Sequence, residues 1–178
     1  MNLLAFDSTS PILTVGIAGD GRAFGRWDTQ SDRSRGGTLD QLINRALEES
    51  GLCRRNINAL AIVTGPGSLT ALRIGWATAC GWALTTGIPV TGWPVPAVQR
   101  RKWVGESIAG RPDSRLTRST NVTCLVHHRG AEFYVYDWNA MSTGRLPIVT
   151  TRDEFRPVVN PDAWVIGPGL LHNYDDWL

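Results

Sequence analysis

Lysine is almost absent. Of the 18 lysines and arginines only Lys102 is a lysine, so no Gly-x-x-x-x-Gly-Lys-Ser/Thr phosphate loop can be drawn. Histidine is nearly as scarce: His127, His128 and His172 are the three present. None forms a His-x-x-x-His pair, which would set two imidazoles on one helix face to share a cation. Adjacent His127 and His128 would point to opposite faces of a strand and could not chelate one ion together. No metal site is expected. The three cysteines, Cys53, Cys80 and Cys124, are odd in number and lack a Cys-x-x-Cys pairing; they read as reduced thiols of a cytosolic protein. No apolar run reaches the length of a membrane span, and the N-terminus has no basic leader with a cleavage site. A cytoplasmic protein with no membrane contact is expected. Nor is there a Gly-x-Ser-x-Gly elbow or a placed His–acid pair that would make a nucleophile of Ser68.

What remains suits a globular protein of one compact unit or two small lobes: 178 residues, 42% hydrophobic, 19% charged, net charge +2. The most informative stretch is Gly65-Pro66-Gly67-Ser68-Leu69-Thr70-Ala71-Leu72-Arg73-Ile74-Gly75. It joins an apolar run, 57–63, to a long apolar segment ending near Thr86, which gives strand, glycine turn, helix. Such a turn leaves amide N–H groups facing outward at a helix start, where the dipole favours an anion. Gly65 and Gly67 would permit positive φ around Pro66, and Ser68 or Thr70 can cap the helix. Arg73 opposes the dipole of a first turn, so a carboxylate or phosphate partner is expected for it. A capped turn with no ligand explains the same motif equally well.

The elements expected in order are a strand at 2–7, a hairpin of 13–18 and 23–27 across Gly19-Asp20-Gly21, and a helix carrying Leu39, Leu42, Ile43, Ala46 and Leu47. Thr38 would cap that helix and Gly51 end it. A strand at 57–63, a helix at 70–86 and a short strand at 90–93 follow. Residues 100–120 concentrate Arg100, Arg101, Lys102, Arg111, Arg115 and Arg118 among Gly, Ser, Thr and Pro. They read as a basic linker between an N-terminal lobe, 1–99, and a C-terminal lobe, 121–178. It is either a solvated loop or, through Arg100, Arg101, Lys102 and Arg115, a contact to an RNA backbone. Strands at 123–126, 132–138, 146–150 and 163–166 close the chain, with a turn and a short helix or coil after them.

The helix at 70–86 is apolar or small all round, so both sides must be buried. Leu72, Gly75, Trp76, Ala79, Cys80 and Ala83 fall on one face, with Gly75 and Ala79 one turn apart where another helix could approach. The opposite face, Ile74, Ala77, Thr78, Gly81 and Leu84, would pack on the chain's own sheet.

Gly-Pro-Gly-Ser-x-Thr-x-x-Arg-x-Gly resembles the signature of the TsaB (YeaZ) family, which helps make the threonylcarbamoyladenosine (t6A) modification of tRNA. Residues 3–11 (Leu-Leu-Ala-Phe-Asp-Ser-Thr-Ser-Pro) are similar to the family's opening strand end. Residues 46–52 and 77–90 are similar to its two helix regions, and Arg129, Glu132 and Tyr134 match a later strand. Leu69, Ala71 and Cys80 depart from the family pattern. The resemblance implies the actin/hexokinase/Hsp70-like (RNase H-like) α/β fold, two lobes with mixed sheets and flanking helices, the second abbreviated.

It also implies a non-catalytic scaffold that binds and activates a TsaD-like catalytic subunit, with a TsaE-like ATPase and tRNA joining. ATP and metal would sit on the partner, with no cofactor on this chain; TsaD holds a metal by a His-x-x-x-His pair on its first helix, where this chain has no histidine. Leu72, Gly75, Trp76, Ala79 and Ala83 would form the partner interface. In the wider superfamily an aspartate at the place of Asp7 organises a metal–phosphate group. Asp7, Ser8, Thr9, Gly65, Gly67, Ser68, Thr70 and Arg73 are thus candidates for a nucleotide or anion site, unless Asp7 simply caps the turn that follows it. A phosphotransferase or ATPase of the same fold and a homodimeric scaffold are the alternative functions.

Overall fold

The computed structural model describes residues 1–30, 35–99, 101, 122–129, 132–137, 148–151, 154 and 164–166. The chain divides into two compact units between Trp93 and Pro94. Residues 94–99, expected at the end of the first lobe, therefore go with the second. Pro94 opens a short helical segment, with the Ala97 and Val98 amides donating to its carbonyl. Of the basic linker only Arg101, exposed and helical, lies within the described residues; Arg100, Lys102 and Arg115 lie outside them.

The first unit is a five-stranded sheet ordered β3-β2-β1-β4-β5. Its strands are β1 (Asn2–Asp7), β2 (Ile12–Gly19), β3 (Arg22–Gln30), β4 (Ala59–Val63) and β5 (Val90–Trp93). β1 pairs antiparallel with β2 and parallel with β4, and β4 is parallel to β5. The two parallel steps are bridged by α1 (Arg35–Glu49) and α2 (Leu69–Thr86). β4 is buried over four of its five residues, as a strand covered on both faces must be. β2 alternates, with Leu13, Val15 and Ile17 inward. One core joins Leu4 and Phe6 of β1 to that β2 stripe, to Leu39, Leu42, Ile43, Ala46 and Leu47 of α1, and to Ala79 and Trp82 of α2. α1 starts three residues before the cap expected at Thr38 and stops at Gly51, which takes the left-handed φ of 67°. A 3-10 turn, Arg54–Asn56, follows. Its polar Arg-Arg-Asn sequence has too little pattern to be read in advance.

The described strands of the second unit are β6 (Val122–Arg129), β7 (Glu132–Asp137), β8 (Ile148–Thr151) and β9 (Trp164–Ile166), ordered β8-β7-β6-β9. β9 runs parallel to β6, whereas β7 and β8 continue antiparallel. Residues 123–126 are buried, as are Phe133 and Val135. Burial pushes the Cys124 thiol up to about 12, which makes it inert, whereas Cys53 and Cys80 are free and exposed. The side chains of His127, His128 and Arg129 and the expected C-terminal coil fall outside the described residues.

α2 is rotated relative to the expectation. Its buried residues are Ala71, Gly75, Ala79 and Trp82, so Gly75 and Ala79, expected to meet another subunit, face their own sheet. The physical reason lies beneath them. A Cβ on Gly75 would stand 2.5 Å from Ser8 Oγ, and Ala79 is wholly buried among core side chains. Small residues here admit β1, not a partner. Leu72 and Ala83 are half-buried, which leaves Trp76 as the exposed member of the five expected interface residues. Ala79→Arg should therefore abolish cooperative thermal unfolding of the protein by itself, because the guanidinium would be desolvated in the core with no partner.

Candidate functional site: the β1 turn, the glycine loop and the outer face of α2

Asp7 ends β1, and its Oδ1 accepts two hydrogen bonds from Thr9, one from the amide and one from Oγ1, both at 2.7 Å. Thr9 is buried, and its carbonyl in turn accepts the Ser68 amide at 3.3 Å. Beside it the buried Ser8 hydroxyl donates to the Ala71 carbonyl at 2.8 Å. The β1 turn is thus bonded to the end of the glycine loop at Ser68 and to the first turn of α2 at Ala71. Asp7, Ser8, Thr9, Gly67 and Ser68, expected together from sequence, are brought together.

Gly65 takes a φ of 98° and precedes a cis bond to Pro66. Gly67 does not have positive φ. Its lack of a side chain serves a close approach instead, since a Cβ there would lie 2.7 Å from Thr9 Cβ. Ser68, not Thr70, caps α2, its Oγ accepting the Ala71 amide at 3.5 Å. Two of the amides expected to face an anion are thereby engaged inside the protein: Ser68 by Thr9 and Ala71 by the cap. Thr70 and Arg73 are exposed. The Arg73 guanidinium makes no ion pair among the described residues.

Burial raises the Asp7 carboxyl above its usual 3.8, outweighing the Thr9 bonds and the nearby Arg26. Asp7, Thr14 and Asp28 stand opposite one another across β1, β2 and β3. Thr14 Oγ1 donates to Asp28 Oδ1 at 2.6 Å, and Arg26 pairs with the other Asp28 oxygen at 2.9 Å. The polar row is internally satisfied at Asp28. Among the described residues no group of three or more His, Cys, Asp or Glu side chains could hold a metal.

The outer face of α2 carries Leu69, Arg73, Trp76, Cys80 and Leu84 at helical spacing, all exposed. Leu69 is 70%, Trp76 44% and Leu84 87% exposed. Alongside runs a groove of about 380 Å³ between α1 and α2, lined among others by Asp40, Arg54, Ala77, Gly81 and Trp82. Its floor is built by Arg54, whose guanidinium lies 5.2 Å from the centroid of the Trp82 ring, pairs with Asp40 at 2.5 Å and donates to Asn44 at 2.9 Å. Sequence reasoning missed Leu69, Leu84 and the groove. The i, i+4, i+7, i+11, i+15 spacing from Leu69 to Leu84 was the available signal.

One comparison with known proteins falls on this part of the molecule. A model of the family described as "TsaD: tRNA N6-adenosine threonylcarbamoyltransferase" matches residues 31–94, the segment that holds α1, β4, α2 and β5. The tRNA threonylcarbamoyladenosine biosynthesis protein TsaB of Escherichia coli is 33% identical over 92 residues, covering 52% of this chain and 39% of that protein. The chain is thus similar to TsaB over about half its length. An uncharacterized protein of Mycobacterium tuberculosis is likewise 33% identical over 92 residues, 51% of this chain and 44% of its own. A tRNA N6-adenosine threonylcarbamoyltransferase of Tropheryma whipplei is 41% identical over 54 residues, 30% of this chain and 14% of its own. The matched region spans less than half the length of the curated relatives.

Among solved structures, an uncharacterized Pseudomonas aeruginosa protein with similarity to peptidase YeaZ superposes with a TM-score of 0.69 at 21% identity, over 96% of this chain and 78% of that one. YeaZ from the same organism gives 0.66 at 20%, with the same coverage. This likeness shows the fold: mixed sheets with flanking helices, in the actin/hexokinase/Hsp70-like class expected.

The raised Asp7 carboxyl gives a test. Its native form binds a proton more tightly than the unfolded chain does, so its contribution to stability is greatest below the unfolded value and declines as pH rises through the folded one. Asp7→Asn keeps the acceptor oxygen and removes the buried charge. The variant should melt at or above wild type at neutral pH, and the difference should vanish as pH falls below about 4.

Proposed function

We propose that the protein is a TsaB-like, non-catalytic subunit of the t6A synthesis machinery, and that it binds and activates a TsaD-like catalytic subunit in the cytoplasm. The observation that carries this reading is the outer face of α2: an exposed apolar stripe inside the segment that the TsaD family model matches, in a chain also similar to TsaB. A TsaD-like partner related to this chain over α1 to β5 brings a helix pair of the same kind. Two such pairs can close into a four-helix bundle that buries both stripes. Each exposed leucine covered in this way is worth about 1.5–3 kcal/mol. Arg73, lying within the stripe, calls for a partner carboxylate at its rim. ATP and metal belong to the TsaD-like subunit on this reading. A TsaE-like ATPase and tRNA join the assembled complex, tRNA through Arg100, Arg101, Lys102 and Arg115.

Gly81 supports the same face. It is exposed in the body of α2, and a Cβ there would meet nothing within 4 Å among the described residues. Glycine inside a helix costs about 0.5–1 kcal/mol relative to alanine, so its use where alanine would fit is explained by another chain passing close to the groove.

Gly81→Ala should raise the stability of the isolated protein by about 0.5–1 kcal/mol. Gly81→Arg should keep a cooperative melt and lose association with a TsaD-like protein, because it fills the groove. Trp76→Ala should weaken association by about 2 kcal/mol or more with the fold retained. Thermal unfolding and size-exclusion mass, alone and in mixture, check all three. Normal association of Gly81→Arg would place the contact elsewhere. A homodimer lost in both variants, with no binding to a TsaD-like protein, would favour self-association, and nucleotide turnover by the protein alone would favour an enzyme.

A further inference from the structure

The β1 turn touches α2 through a chain of bonds that the scaffold function does not require to be charged. Asp7 Oδ1 holds Thr9 by two bonds of 2.7 Å, and Thr9 O holds the Ser68 amide at the helix cap. Ser8 Oγ holds the Ala71 carbonyl one turn on, and Gly67 and Gly75 leave the space in which Thr9 and Ser8 sit. Both Asp7 bonds land on one oxygen, and each comes from a donor that a neutral amide oxygen can also accept.

We propose that Asp7 is a positioning residue that works by accepting hydrogen bonds, not by presenting a charge to a metal or phosphate. Through Thr9 and Ser68 it fixes the start of α2 in the rotation that turns Leu69, Trp76 and Leu84 outward. The consequence for partner binding rests on the function proposed above; the consequence for α2 itself does not.

The experiment compares wild type, Asp7→Asn and Asp7→Ala. Native-state hydrogen exchange is read at the amides of residues 72–76 in α2, against residues 42–47 of α1 as the internal reference. Asp7→Ala should speed exchange in α2 about tenfold and leave α1 unchanged, since two hydrogen bonds at the hinge of the helix are lost. Asp7→Asn should match wild type. If Asp7→Ala loses protection throughout, Thr9→Val, which removes one of the two bonds and keeps the branched shape, decides the matter by loosening α2 alone. Association with a TsaD-like protein should follow the same order, wild type and Asp7→Asn above Asp7→Ala. Loosening of α2 by Asp7→Asn as great as by Asp7→Ala overturns the proposal, as does an α2 unmoved by Asp7→Ala. Calorimetric binding of magnesium ATP to wild type that disappears in Asp7→Asn also overturns it. A wild type that fails to bind the TsaD-like protein sinks the functional reading only, because the exchange rates are read without a partner.

Discussion

The rotation of α2 about its own axis is set where the β1 turn meets it: the Ser8 hydroxyl donates to the Ala71 carbonyl at 2.8 Å in space that a side chain at position 75 would fill, and the Thr9 carbonyl accepts the Ser68 amide at the helix cap. A helix that is apolar all round carries no preferred face of its own, so packing against β1 has to choose. Once the Ser8 side of β1 lies against Ala71, Gly75 and Ala79, the remaining direction is fixed. Leu69, Arg73, Trp76, Cys80 and Leu84 turn away from the sheet. The small residues of the helix are therefore an internal feature, and the large exposed ones are the surface through which association is proposed.

The Thr9 and Ser68 bonds of this junction explain why the glycine-rich loop is less available to an anion than its composition suggests. A glycine turn before a helix offers free amides in principle. Here the Ser68 amide goes to Thr9, and the Ala71 amide goes to the Ser68 side chain. Gly67 makes room for Thr9. The sequence features that resemble a phosphate cradle also build a clasp between two loops, and the bonds on hand belong to the clasp.

Much of the first unit was legible because its elements are strongly patterned. β1 follows from its apolar run, the hairpin from Gly19-Asp20-Gly21 between two strand-like runs, and α1 from its five apolar positions. Strand order was not legible, since periodicity carries no information about neighbours. The choice of face on α2 failed for a specific reason: Gly75 and Ala79 are equally good for admitting a neighbouring helix and for admitting Ser8, and only tertiary packing separates the two. Arg73, for which a carboxylate or phosphate partner was expected, stands exposed on the outer face. The turn at Asp7 was legible as a pair of alternatives, and its bonds to Thr9 are those of the capping alternative.

Cys80 offers a direct probe of the central claim, since it is a free, exposed thiol in the middle of the outer stripe. The rate of its alkylation should be measured in the native protein, with and without a saturating TsaD-like subunit. Labelling should be rapid in the protein alone and strongly suppressed in the complex. Labelling at the free rate within a stable complex would contradict that claim.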